Sequence, residues 1–342
     1  MELPSSKAEH ELYRAAEGRP ARIGLARLGR PGVTLIVLAA LALGLIALFL
    51  TVGVTDWGFA LPRRARKVAV MLLVGGSIAY STVLFQTVTN NRILTPSIIG
   101  FDSLYLLVQT VVVFLFGSGA LLSLDPRVQF LLNAGCMVLF AGLLYRWLFE
   151  REGRNLYFLV LVGVILGTLF GNVSSFLQRL IDPNEFAVIQ DRMFASFNRI
   201  NEDLLAIAAV GVVLTLLYSL RFARSLDVIA LGRDHAINLG VAHQREVRRV
   251  MVVVALLVAI STALVGPITF FGLLTANLAH QLMGSYRHRM IVPAAALLSV
   301  IALAGGQLLV ERVFTFSTSL SVIINFIGGI YFIYLLLREA RP

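Results

Sequence analysis

Residues Val33 to Val54 read VTLIVLAALALGLIALFLTVGV, a run without a single charged side chain. Wound as an α-helix it rises about 33 Å, enough to cross a hydrocarbon core of about 30 Å. In lipid every backbone N–H needs a partner within the protein, so such a run has to be helical. The same reading applies to Val68 to Val88, Ile98 to Phe116, Val128 to Leu148, Leu156 to Leu177, Leu204 to Leu220 and Val250 to Val265. It applies again to Ile268 to Met283, Ile291 to Val310 and Leu320 to Leu337. The expected fold is therefore an all-α membrane protein of about ten transmembrane helices. The eighth segment is short and starts at Gly266-Pro267, where a chain reversal is expected.

Composition agrees. Of the 342 residues, 58% are hydrophobic and 14% charged, and the mean hydropathy is +0.84. A water-soluble chain carries roughly 25% charged residues. The net charge of +10 comes from basic residues flanking apolar runs, a distribution that argues against a nucleic-acid partner and for contact with membrane lipid. Cys136 stands alone in an apolar run, which excludes an internal disulfide and a cysteine-based metal site.

Residues 1–32 are expected to form a cytosolic tail, with six basic residues up to Arg30 and no cleavable leader, ahead of a permease domain over 33–338. With the N-terminus inside, cytosolic segments carry 20 of the 29 Lys and Arg residues and outer segments carry 9. The positive-inside rule thus favours both termini in the cytosol. Arg63, Arg64, Arg66 and Lys67 fall on the outer side against that rule. Docking of an acidic partner and anchoring to lipid headgroups both account for them.

Within the membrane, Gly163, Gly167 and Gly171 share one helix face, and Asn172, Ser174 and Ser175 follow. Close helix packing explains the glycines, as does a passage of low side-chain bulk. Gln86, Asn90 and Asn91 precede Thr95-Pro96, a polar exit that terminates a helix or lines an inner gate. The polar connection 221–249 holds a short helix, Arg233 to Leu239, between Gly232 and Gly240. No Asp, Glu, Lys or Arg falls in the middle of a span; Asp102 and His280 lie near ends. That disfavours an ion-coupled secondary transporter, which usually places such a group at mid-membrane, although backbone carbonyls could still bind sodium. The only lysines, Lys7 and Lys67, follow Ser6 and Arg66, so the chain has no phosphate-binding Gly-Lys loop of its own. A membrane enzyme is disfavoured too, because no intramembrane His/Asp/Ser constellation is apparent.

Three ordered motifs resemble the iron-siderophore and cobalamin permeases of type II ABC importers, the FecCD type. The first comprises Arg64-Ala65-Arg66-Lys67, Gly75, Gln86, Asn91-Arg92-Ile93-Leu94-Thr95-Pro96 and Gly100. The second is Ala230-Leu231-Gly232-Arg233-Asp234-His235-Ala236-Ile237-Asn238-Leu239-Gly240, similar to the family's loop that docks on an ATPase. The third is Gly266-Pro267-Ile268-Thr269-Phe270-Phe271-Gly272-Leu273, and a weaker fourth is Arg312 ahead of Gly328-Gly329. Departures include Lys67, Arg92, Arg233, and Ala276-Asn277 for the usual Pro-His. The run Asn91 to Tyr105 looks most like the branch serving catecholate-type ferric siderophores.

The resemblance implies a cobalamin-permease-like bundle in the bacterial cytoplasmic (inner) membrane, and a transport subunit in place of an enzyme. It implies a second permease, in a heterodimer or a homodimer, two ATPase subunits and an extracytoplasmic siderophore-binding protein. ATP and Mg would be held by the ATPase, with no cofactor or metal in this chain. Docking of the binding protein would fall to Arg64, Lys67 and Arg312. ATPase coupling would fall to Leu231, Gly232, Arg233, Asp234, Ala236, Leu239 and Gly240. Gln86, Asn91, Pro96, Gly100, Gly163, Gly167, Gly171 and Asn172 are the candidates for pathway or gate. A cobalamin or haem permease is the alternative within the class.

Overall fold

The computed structural model describes residues 30–54, 56–149, 156–198, 202–314 and 318–339. The tail assigned to 1–32 therefore lies almost wholly outside the described residues. The described chain is helical, without strands. In order it runs α1 (Arg30–Thr51), α2 (Trp57–Thr89), a 3-10 turn (Pro96–Ile99), α3 (Phe101–Ser123), α4 (Pro126–Phe149) and α5 (Leu156–Leu180). It continues through α6 (Pro183–Arg192), α7 (Glu202–Ser219), α8 (Ala223–Ile229), α9 (Arg233–Asn238) and α10 (His243–Val265). The last three are α11 (Phe271–Met283), α12 (His288–Arg312) and α13 (Leu320–Glu339).

All ten apolar segments are helices, and nine helices among the described residues are long and apolar enough to cross a membrane. The exception is α11, whose 13 residues rise about 20 Å. It begins after the reversal at Gly266, where φ is +99°.

Helices α2 and α10 form the centre. About two thirds of the apolar window of α2 is buried, and 61% of that of α10, against 17% for α1. Their buried valines, Val250, Val253 and Val254 on α10 among them, join Leu84, Phe85, Met137 and Leu144 in the largest core cluster. Around this centre α1 packs on α12, α3 on α5, and α4 and α7 on α10. The outward faces stay apolar, with Phe326, Ile330 and Ile333 of α13 and Leu161, Ile165 and Leu169 of α5 exposed. In water such surfaces would aggregate; in a bilayer they meet lipid or another subunit.

Two elements exceed the sequence reading. The 33 residues of α2 span about 50 Å, longer than the bilayer core, so its first turns stand clear of it. Its start is set by Asp56, whose carboxylate accepts from the N–H groups of Gly58 and Phe59. The connection between α5 and α7 contains α6, which starts with Pro183 and is capped by Asp182.

Candidate docking, pathway and coupling sites

At the end of the bundle where α1 finishes and α2 begins, the basic cluster is built into the fold. Arg64 donates from Nη1 to the carbonyls of Phe49 and Val52, each at 2.8 Å. Arg312, arriving from α12, donates to the same Val52 carbonyl. These are the orphan carbonyls of the last turn of α1, which two guanidinium groups close. Gly53, at φ +67°, makes room: a Cβ there would collide with the Arg312 guanidinium. Lys67 meets Glu311 at 3.1 Å, and Gln307 donates to the same carboxylate oxygen. Arg66 pairs with Glu202 at 2.6 Å in an exposed contact, and Arg63 lies over the ring of Phe59. Arg64, Lys67 and Arg312 are thus gathered on one rim, each with an internal partner the sequence did not reveal.

The polar exit of α2 is a tightly bonded turn. Asn90 ends the helix in the left-handed region, φ 49°. Asn91 accepts the N–H of Ile93 on its side-chain oxygen at 2.8 Å, the Asx geometry that reverses a chain. The carbonyl of Arg92 then receives two amide donors, Gln86 Nε2 at 2.6 Å and Asn277 Nδ2 at 2.8 Å. Asn277, seen in the sequence only as a departure from the family pattern, thus shares the Arg92 carbonyl with Gln86. The other amide atom of Gln86, Oε1, is buried without a hydrogen bond.

Pro96 opens the 3-10 turn, and Gly100, at φ +98°, closes it and starts α3. The glycine stripe of α5 lies against this turn. A Cβ on Gly163 would stand 2.8 Å from the Cα of Ile99, and one on Gly167 would stand 2.9 Å from the Cα of Gly100. Gly171 is looser, with Ser103 Oγ its nearest neighbour at 4.0 Å. The face shared by Gly100, Gly163 and Gly167 is filled by packing, which favours that reading of the stripe over a passage along it.

A different face of α5 is polar and open. Thr168, Asn172, Ser175 and Arg179 are spaced by four, three and four residues, so they form one stripe, and all four are exposed. Thr168 satisfies its hydroxyl on the carbonyl of Val164. A polar stripe at membrane depth faces water or protein, not hydrocarbon. Asn172, already singled out in the sequence, belongs to it.

The structure adds a partner to Asp102. Its place near a helix end is right, but that end lies inside the bundle. Thr269 donates to Asp102 Oδ2 at 3.0 Å, beside a cavity lined by Ser81 and Thr82 of α2 and Thr262 of α10. Thr82 lies seven residues, about 10 Å along the axis, before the end of α2.

At the end of the bundle where α2 finishes, α8 and α9 form a compact hairpin. Gly232, at φ +99°, is the N-cap of α9, and Ala236 is its buried contact. Arg233 and Asp234 are exposed, as are Leu231, Ile237 and Leu239 at 54%, 49% and 63%. Gly240, at φ +82°, ends the hairpin. The hairpin thus exposes one aliphatic within α9, Ile237, one at each side of it, Leu231 and Leu239, and two charges in its first turn, the makeup of an interface core with a polar rim.

The chain belongs to the FecCD transport family, whose model matches residues 33–338. The petrobactin import system permease protein YclO of Bacillus subtilis (strain 168) is 54% identical over 305 residues, 89% of this chain and 97% of that protein. The petrobactin import system permease protein FatC of Bacillus anthracis is 36% identical over 313 residues, 90% of this chain and 88% of that protein. A solved structure described as an inward-facing, metal-chelate type ABC transporter matches with a TM-score of 0.76. It covers 90% of this chain and 99% of its own at 23% identity, a likeness of fold.

Proposed function

We propose, with FecCD membership as the premise, that this chain is the membrane-spanning permease subunit of an ATP-driven importer carrying a ferric siderophore across the bacterial cytoplasmic membrane. The observation that carries the reading is the 54% identity to a petrobactin permease across 97% of that protein. The second relative named for the same compound, at 36%, points to a petrobactin-type siderophore as the substrate.

The geometry supports a division of labour. With the N-terminus inside, the α9 hairpin faces the cytosol, and its exposed Leu231, Ile237 and Leu239 suit a groove on a separate ATPase. That ATPase would hold ATP and Mg. The polar stripe of α5 suits a passage formed between this subunit and a second permease, since one chain alone leaves it facing lipid. Arg64, Lys67 and Arg312 make the outer rim positive. A guanidinium that has met backbone carbonyls keeps further N–H groups for a carboxylate of a binding protein.

The test is uptake of radioactive iron as the siderophore complex into vesicles containing the assembled importer. Uptake should need ATP inside the cytosolic compartment and the binding protein outside. Accumulation driven by a proton gradient alone, with no ATP, would overturn the proposal.

A further inference from the structure

Between the candidate coupling hairpin and the candidate gate runs a chain of contacts that the sequence motifs do not contain. Asp227 lies on α8, two residues before that helix ends and six before α9 begins. One oxygen of its carboxylate, Oδ1, accepts from the backbone N–H of His288 at 2.9 Å and meets the ring Nδ1 of the same residue at 2.6 Å. A carboxylate acceptor requires Nδ1 to carry the hydrogen. His288 is the first residue of α12, so a side chain from α8 caps the N-terminus of α12. The other ring nitrogen, Nε2, meets the hydroxyl of Thr87 on α2 at 2.7 Å. Thr87 and His288 are both buried, and Thr87 follows Gln86, the residue that holds the Arg92 carbonyl.

The hairpin touches α2 a second time. A Cβ on Gly232, the N-cap of α9, would stand 3.5 Å from Nδ2 of Asn90, the C-cap of α2, so the two caps are neighbours. A displacement of α9 therefore reaches the last turn of α2 by two routes, one through Gly232 and Asn90, the other through Asp227, His288 and Thr87. The second also engages α12, which packs along α2 over much of its length. Hydrogen-bonded side chains between rigid helices are the kind of connection through which one element repositions another.

We propose that Asp227, His288 and Thr87 are positioning residues for transport, linking the ATPase-facing hairpin to the gate end of α2. The proposal rests on the importer reading given above. Its alternative is a purely structural role, in which Asp227 and His288 do no more than cap α12.

Thr87→Val separates the two, because it removes the hydroxyl that meets His288 while leaving the Asp227 cap and the side-chain volume in place. The assembled complex, with its partner permease, ATPase and binding protein, is placed in vesicles, and siderophore delivered per ATP hydrolysed is measured. Thr87→Val should assemble and retain basal ATP hydrolysis, with delivery per ATP down about tenfold. Thr87→Ser should recover most of that ratio. The Asp227→Asn and His288→Gln variants, singly and together, should lower the ratio by similar factors that do not multiply. An unchanged ratio in Thr87→Val would overturn the proposal, as would a loss that Thr87→Ser fails to recover. Transport by the unaltered complex without ATP would remove the importer reading itself.

Discussion

The Cα of Gly167 lies 2.7 Å from the position a Cβ on Gly100 would occupy, so α5 and the turn leading into α3 meet backbone to backbone. Gly167→Val puts three carbons into that contact with no flexible side chain to yield. The expected cost is about 1–3 kcal/mol or more, seen as a lower melting temperature and less monodisperse protein in detergent. Gly171→Ala, with its nearest neighbour at 4.0 Å, should behave as the unaltered protein.

Lys67 and Glu311 offer a charge swap. Both side chains are largely shielded, at 22% and 10% exposed, so Lys67→Glu alone leaves two carboxylates in contact. Lys67→Glu with Glu311→Lys restores the pair and should recover about 1–3 kcal/mol of coupling, read from melting curves. Recovery of stability without recovery of binding-protein affinity would assign Lys67 to docking. Recovery of both would leave it a structural pair.

In the α8–α9 hairpin, Leu239→Asp and Arg233→Glu change exposed positions, so folding should shift by no more than about 0.5 kcal/mol. Co-purification of the ATPase should fall sharply in the first and measurably in the second. Retention of a fully coupled ATPase by Leu239→Asp would move the docking surface elsewhere.

For the α5 stripe, Asn172→Trp adds bulk on the exposed polar face and should block siderophore uptake while the helix still folds. Thr168→Val keeps volume and should have a small effect. Normal uptake in Asn172→Trp, with an intact complex by size-exclusion chromatography, would place the passage on another face.

What the sequence disclosed follows from how each signal is carried. The ten apolar segments were legible as continuous runs, but that the eighth is a 13-residue helix too short to span, leaving nine candidate spans among the described residues, was not. The full length of α2 was not, since Arg63 to Lys67 interrupt the run and find partners only in folded space: Arg64 on α1, Lys67 on Glu311. The glycines of α5 were visible as a stripe, but choosing packing over passage required the Ile99 and Gly100 backbones. Thr87 and His288 are 201 residues apart, and Asp227 and His288 are 61 apart, distances at which no spacing rule applies. Asp102 was legible near a helix end, but its bond to Thr269 was not, since the two lie 167 residues apart.

The closure of α1 by Arg312 joins positions 260 residues apart. During synthesis at 5–20 residues per second, the first helix would wait about 13–52 s for that contact. Arg64, 12 residues after Val52, is made early in that interval, and the surface that α12 will cover stays open to lipid or to a chaperone of membrane insertion. The first of the described helices is therefore among the last to be finished, and a ribosome stalled before Arg312 would leave it in the bilayer with its final turn half sealed.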